Sequence, residues 1–148
     1  MKKLLLLVIP FLLCGCSTGA SKEDIASSLD SYIDKEEKDM KLLIDEKELE
    51  VKWEDNASIE AIKKLSPLSI QMHRYGGFEQ VGAIGQSIAS DDKRITTEPG
   101  DIVLYSSNQI VVFYGTNTWA YTKLGHINLS QNELNDLLDK ENVALTIK

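Results

Sequence analysis

Short apolar segments separated by turn residues make up most of the sequence from Met40 to the C-terminus. The turns carry residues that favour tight reversals, such as Gly76-Gly77, Pro99-Gly100 and Ser106-Ser107-Asn108. Connections this short join antiparallel neighbours, because parallel strands need a crossover of a dozen or more residues. About seven or eight strands and two helices are predicted, without strand–helix alternation. The expected fold class is mainly β, a small antiparallel barrel with two short helices closing its ends.

The run Ile110–Tyr114 is the predicted central strand of this barrel. It reads Ile-Val-Val-Phe-Tyr, so both alternating sets of side chains are apolar. A strand with this pattern is covered on both faces. By contrast, residues 81–97 are mixed in character and are predicted to be rich in loops.

Capping residues predict the two helices. Asn56 precedes apolar residues at helical spacing, and Pro67 prevents that helix from continuing. Ser130 and Glu133 match the S-x-x-E capping box ahead of a leucine-rich stripe.

The first 16 residues have the parts of an export signal. Lys2 and Lys3 are followed by the apolar run Leu4–Leu13, which is shorter than the roughly 20 residues of a membrane-spanning helix. The sequence Leu13-Cys14-Gly15-Cys16 resembles the lipobox of bacterial lipoproteins. That resemblance implies cleavage before Cys16 and acylation of its sulfur, for example with palmitate. The alternative is an ordinary secretory signal that leaves Cys16 as a free thiol.

These features predict three parts of the chain. Residues 1–15 form a signal peptide, residues 16–39 a lipidated N-terminus with a polar tether, and residues 40–148 the barrel domain. The tether is expected to be solvated and largely disordered, and the alternative prediction is a weak amphipathic helix. The predicted location is the cell membrane, outside the cytoplasm, with the lipid on Cys16 as the anchor.

Charge and composition exclude several kinds of partner and chemistry. The net charge of −7 disfavours nucleic acid and electrostatic adhesion to anionic lipid. Cys14 and Cys16 are the only cysteines, so the mature domain would contain no disulfide and no thiolate ligand. His73 and His126 lack metal-ligand spacing, and no metal or other cofactor is expected. Signature motifs of hydrolases, NTPases and dinucleotide-binding proteins are absent from the sequence.

Five segments carry a resemblance to a known family through their order and spacing. They are Leu68–Met72, Tyr75–Gly82, Pro99–Tyr105, Gln109–Gly115 and Trp119–Ile127. Together they resemble the bacterial cyclophilin-like fold family. The resemblance covers nearly all of the predicted domain and implies a compact β-barrel related to cyclophilins.

The resemblance also bears on activity. His73-Arg74 match the histidine–arginine pair in the signature of true cyclophilins, which isomerise X-Pro bonds, and Phe78 lies near the expected aromatic residue. This implies Arg74 as the candidate catalytic donor. The signature's proline is absent here, and Arg74 and Phe78 are one residue closer together. The first hypothesis is therefore a binding module without efficient catalysis, and the alternative is a prolyl isomerase acting on exported proteins.

The predicted ligand is a peptide segment or a small molecule held in a groove beside the barrel. The candidate ligand-binding residues are Arg74, Phe78, Gln80, Tyr114 and Trp119. The aromatic residues could offer a stacking surface or could pack within the barrel. A structural envelope protein without a small ligand is a third hypothesis.

Overall fold

The computed structural model describes residues 39–148, and these residues form a mainly β domain with two helices. The predicted signal peptide, the lipidation of Cys16 and all of the tether but Asp39 lie outside the described residues. The strands are β1 (Leu42–Ile44), β2 (Lys47–Leu49), β3 (Val51–Trp53), β4 (Leu68–Tyr75), β5 (Glu79–Ala83), β6 (Lys93–Thr96), β7 (Asp101–Tyr105), β8 (Gln109–Phe113), β9 (Thr118–Ile127) and β10 (Asn142–Ile147). The helices are α1 (Ala57–Leu65) and α2 (Gln131–Leu138).

The strands form one antiparallel sheet that nearly closes into a barrel. Its order is β2-β1-β10-β4-β5-β8-β7-β9-β3, with β6 paired to β9 outside this path. Although β2 and β3 lie at opposite ends of the order, only Glu50 separates them in the chain. The backbone N–H of Asn128 donates to the Glu50 carbonyl at 3.3 Å, which extends the pairing of β9 with β3 to the junction with β2. The predicted fold class is confirmed.

The strand β8 has apolar neighbours on both faces, as its sequence predicts. Ile110 and Val112 belong to the main core inside the barrel, where both are fully buried. Val111 and Phe113 belong to a smaller cluster on the outer face. Because successive side chains of a strand point to opposite faces, an all-apolar strand joins both clusters.

Both helices begin where the capping residues predict. The Asn56 side chain accepts a hydrogen bond from the Ile59 backbone N–H at 3.0 Å. Ser130 and Glu133 form the reciprocal capping box of α2. The buried faces of both helices pack into the main core. Within residues 39–148, no helix combines the length and apolar character needed to cross a bilayer.

The prediction of a loop-rich segment over residues 81–97 is wrong in part, because β5 ends and β6 lies within that range. The part of the chain that the structure describes has ten strands instead of seven or eight. Strand β6 reads Lys-Arg-Ile-Thr and pairs only with β9, so it needs few apolar side chains. In β5, position 82 has no room for an apolar side chain, because a Cβ on Gly82 would lie 2.4 Å from Ile70 Cγ2.

Candidate functional site

A second apolar cluster covers the outer face of neighbouring strands. Val103 on β7, Val111 and Phe113 on β8, and Tyr121 on β9 are buried there. Val81 on β5 packs against them and is half-buried. Val111 and Tyr121 of this cluster, together with Val81, line a cavity on the outer face.

The cavity on this face has a volume of about 340 Å³. Its lining combines four aromatic residues, two valines and three polar residues: Tyr75, Tyr105, Trp119, Tyr121, Val81, Val111, Glu79, Gln109 and Asn117. Ligand pockets run from about 300 to 1,000 Å³, so this volume suits one side chain or a small molecule.

The aromatic residues of the cavity differ in exposure. Tyr121 is 5% exposed and meets the Tyr105 ring edge-on with centroids 6.0 Å apart. Its hydroxyl accepts a hydrogen bond from Asn117 Nδ2 at 3.0 Å, which fixes the ring. Trp119 and Tyr75 are 54% and 68% exposed. The cavity thus has a rigid inner wall and an exposed aromatic rim.

Glu79 is a buried acid in this cavity without a hydrogen-bond partner. It lies on β5, opposite Phe113 of β8 and Tyr75 of β4. Its side chain is 6% exposed, and no group donates to its Oε2. Burial raises the pKa of Glu79 from 4.5 to about 7, because the apolar surroundings disfavour its charged form. The protonated and charged forms of Glu79 are therefore present in similar amounts near pH 7.

The residues around Glu79 supply no compensating positive charge. Among the described residues that line the cavity, none is a lysine, an arginine or a histidine. Burial raises the pKa of Tyr121, and the negative charge of Glu79 raises it further. The site is therefore an acidic group enclosed by neutral aromatic rings.

Of the five predicted ligand-binding residues, the structure places Trp119 in the cavity lining. Phe78 lies just outside, stacked on Phe113 at 6.4 Å, and packs against the outer cluster. Whether these residues bind a ligand stays a prediction.

The other three candidates occupy the inner side and the end of the barrel. Arg74 is exposed at the end of β4, where Nη1 and Nη2 each lie 3.2 Å from a carboxylate oxygen, of Asp139 and of Glu141 respectively. Gln80 is buried and its Nε2 donates to the carbonyls of Leu138 at 2.8 Å and Lys140 at 2.7 Å. Tyr114 belongs to the main core. The structure gives these three side chains packing and hydrogen-bonding roles away from the cavity.

Sequence reasoning missed Glu79, because its unusual position follows from the strand register. On β8, the outward set Val111 and Phe113 is apolar, which indicates a covered outer face. Glu79 and Val81 pair directly with Phe113 and Val111. An acid paired with the apolar outward face of a central strand is a candidate for an unusual environment, but that pairing is visible only once the register is known.

A second cavity of about 420 Å³ lies beside α1 and the start of β6. It is lined mainly by polar and charged residues, including Glu54, Asp91, Lys93 and Lys123. Lys93 and Asp91 already pair with each other at 2.9 Å. Over residues 39–148, no group of three or more acidic, histidine or cysteine side chains could hold a metal ion.

Comparison with known proteins agrees with this architecture. No curated protein matched the sequence. A model of the cyclophilin-like family matches residues 42–148, a range that begins at β1 and includes every strand and both helices described above. The match confirms the resemblance carried by the five segments between Leu68 and Ile127. The chain therefore belongs to the cyclophilin-like family.

Proposed function

We propose that the domain is a ligand-binding module that holds a side chain or small molecule in the outer-face cavity. The observation that carries this proposal is the Glu79 carboxyl, buried without a partner among aromatic rings. A buried polar group without a hydrogen bond costs about 1–3 kcal/mol of stability. Perturbed acids of this kind concentrate at functional sites, where a bound group satisfies them.

The cavity supports binding better than nucleophilic catalysis. A nucleophilic side chain is activated by a neighbouring base, cation or metal, and among the described lining residues none is a lysine, an arginine or a histidine. Besides Glu79, the titratable groups in the lining are tyrosine phenols. Arg74, the donor that a prolyl isomerase would require, pairs with Asp139 and Glu141 and does not line the cavity.

An NMR titration of the mature chain carrying Cys16→Ser with a chemically diverse fragment set tests the binding proposal. We expect at least one class of compound to shift the indole N–H signal of Trp119. The indole of Trp53 is an internal control, because its Nε1 donates to the Met40 carbonyl at 2.8 Å and lies outside the cavity lining. If no fragment moves the Trp119 signal, the proposal is wrong.

The proposal includes a location, at the outer side of a cell membrane with the domain tethered by lipid on Cys16. Its support is the basic start, the short apolar run and the lipobox-like Leu13-Cys14-Gly15-Cys16. Each buried methylene of an acyl chain contributes about 0.8 kcal/mol to membrane binding, so two chains hold a protein stably. The negative net charge gives no comparable attraction to anionic lipid.

Detergent-phase partitioning tests this location. Cys16→Ser is expected to move the protein to the aqueous phase or leave it unprocessed. Cys14→Ser is the matched control, since Cys14 leaves with the signal peptide, and it should partition like the unaltered chain. Detergent-phase recovery of Cys16→Ser, or a mature N-terminus without acyl mass, would contradict the anchor.

A further inference from the structure

We propose that the outer-face cavity takes an alkylammonium group, with the Glu79 carboxylate as its counter-ion and aromatic rings around it. The inference rests on the proposed binding function and specifies the chemical class of the ligand. An alkylammonium group occurs both on lysine side chains and on free amines, and the test below separates these two sources.

The first step is the unfilled hydrogen-bonding capacity of Glu79. Glu79 lines the cavity, and its Oε2 is buried and accepts no hydrogen bond. A carboxylate accepts charge-assisted hydrogen bonds from ammonium donors, and these are about twice as strong as neutral ones. An ammonium ligand supplies both the missing donor and the missing positive charge.

The second step is that none of the described residues lining the cavity is basic, and two basic residues on neighbouring strands are already paired. Lys93 on β6, opposite Tyr121 of β9, lies 2.9 Å from Asp91. Arg74, at the end of β4, pairs with Asp139 and Glu141. The titratable groups that line the cavity with Glu79 are the phenols of Tyr75 on β4, Tyr105 on β7 and Tyr121 on β9, and a phenol never carries a positive charge. His73 on β4 lies opposite the lining residue Val81, and its Nδ1 is hydrogen-bonded to the Asn142 side chain.

The third step is the aromatic surround. A cation gains about 0.5–2 kcal/mol from the electronegative face of a tryptophan or tyrosine ring, and several rings together recognise alkylammonium ions. Trp119, Tyr105 and Tyr121 line the cavity with Glu79. An anionic ligand would meet repulsion from Glu79 and from the net charge of −7. The combination of one acid and several rings therefore selects a cation.

The test uses the mature chain carrying Cys16→Ser and three probes of similar length: n-butylammonium, 1-pentanol and pentanoate. NMR titration at pH 8 follows the Trp119 indole signal. We expect n-butylammonium to bind at least tenfold more tightly than pentanol and pentanoate to leave the signal unmoved. Between pH 8 and pH 5 the affinity for n-butylammonium should fall about tenfold or more, because Glu79 gains a proton over that range.

A fourth probe, Nα-acetyl-lysine methylamide, identifies the source of the ammonium group. Tighter binding than n-butylammonium by tenfold or more assigns the site to lysine in a polypeptide, which would contact the exposed rim of Tyr75 and Trp119. Equal or weaker binding assigns it to free amines.

Glu79→Gln keeps the shape of the side chain and removes its charge. It should reduce n-butylammonium affinity at least tenfold and abolish the pH dependence, while pentanol affinity stays within twofold. Glu50→Gln is the matched control: it removes an exposed carboxylate at the junction of β2 and β3 and should leave every affinity unchanged. If Glu79→Gln fails to fold, the pH dependence in the unaltered domain decides the question.

The outcomes separate this inference from the proposed function. Preferred binding of pentanol or pentanoate, or n-butylammonium binding that Glu79→Gln leaves intact, overturns the alkylammonium inference and keeps a binding module. If neither these probes nor the fragment set moves the Trp119 signal, both proposals fail together.

Discussion

At the scale of single residues, Glu79 links the stability of the domain to pH. Its folded-state pKa of about 7 lies above the ordinary value of 4.5, so the folded state holds the proton more tightly than the unfolded state. The resulting stabilisation is complete below pH 4.5 and is lost as pH rises through about 7. Each pKa unit corresponds to about 1.4 kcal/mol, so a rise from 4.5 to about 7 makes roughly 3–3.5 kcal/mol of unfolding free energy depend on this proton.

Urea unfolding of the unaltered domain and of Glu79→Gln between pH 4.5 and pH 8 measures this effect. Other carboxyl groups titrate in both proteins, so the difference between the two isolates Glu79. We expect the variant to gain about 2–3 kcal/mol relative to the unaltered domain on going from pH 4.5 to pH 8. A difference that stays constant with pH would show that Glu79 titrates normally.

Arg74 is expected to contribute to stability and not to activity. The Arg74 side chain is 41% exposed and forms two ion pairs. Exposed ion pairs contribute about 0.2–1 kcal/mol each. Arg74→Ala should therefore cost no more than about 1–2 kcal/mol of unfolding free energy. A protease-coupled X-Pro peptide assay should give no rate above background with or without Arg74.

Arg94→Ala is the control for the loss of an exposed arginine, since Arg94 lies on β6 outside the cavity lining. Isomerase activity that Arg74→Ala abolishes and Arg94→Ala leaves intact would support the alternative function.

The candidate site could be predicted from the sequence only in part. Trp119 was identifiable because a tryptophan beside a turn suggests a stacking surface. Arg74 and Gln80 were chosen for their chemistry, but they point to the inner side or the end of the barrel. Their partners there are the end of α2 and the segment that joins α2 to β10. Those partners are about 60 residues away in the chain. Side-chain type gives no information about contacts that depend on barrel closure.

At the scale of secondary-structure elements, Gln80 attaches the end of α2 to the barrel. Its two hydrogen bonds reach Leu138, the last residue of α2, and Lys140, which lies between α2 and β10. The last carbonyls of a helix have no partner within the helix. Here the Leu138 carbonyl accepts from the Lys140 backbone N–H at 2.8 Å, and Gln80 adds a second donor.

Gln80→Ala should therefore destabilise the domain through the end of α2. The Lys140 carbonyl loses its donor, whereas the Leu138 carbonyl keeps the hydrogen bond from the Lys140 backbone N–H at 2.8 Å. Removal of the unpaired Gln80 Oε1 offsets part of this cost. The expected loss of unfolding free energy is about 1–2 kcal/mol, with faster hydrogen exchange in α2. Gln71→Ala is the control, because Gln71 is exposed and its bond to the Val143 carbonyl is 3.4 Å long. Equal effects of the two substitutions would contradict this role for Gln80.

Elements with strong local patterns were the predictable ones. The apolar strand β8 and the capping box of α2 depend on neighbouring residues alone. Strand β6 forms despite its two adjacent basic residues because the first half of β9 offers it a pairing edge. The residues of that edge lie about 25 positions later in the chain, so the local sequence of β6 does not predict the pairing.

At the scale of the whole molecule, barrel closure separates two environments. The inner side holds the main core, and the outer side of β5, β8, β7 and β9 holds the cavity. Closure depends on β1, which lies between β2 and β10 and pairs Leu42 with Ile147. The sequence predicts a barrel from its short strands, but it does not specify that the first and last strands are neighbours.

The structure predicts that the barrel depends on β1. A chain that begins at Asp39 retains all ten described strands and should unfold cooperatively. A chain that begins at Asp45 loses Leu42 and Ile44, both fully buried in the main core. Removing a buried leucine or isoleucine side chain costs about 2–5 kcal/mol, and a domain has only about 5–15 kcal/mol in total. Circular dichroism melting and NMR peak dispersion should therefore show the longer chain folded and the shorter chain largely unfolded. Equal melting temperatures of the two chains would mean that the barrel does not need its first strand.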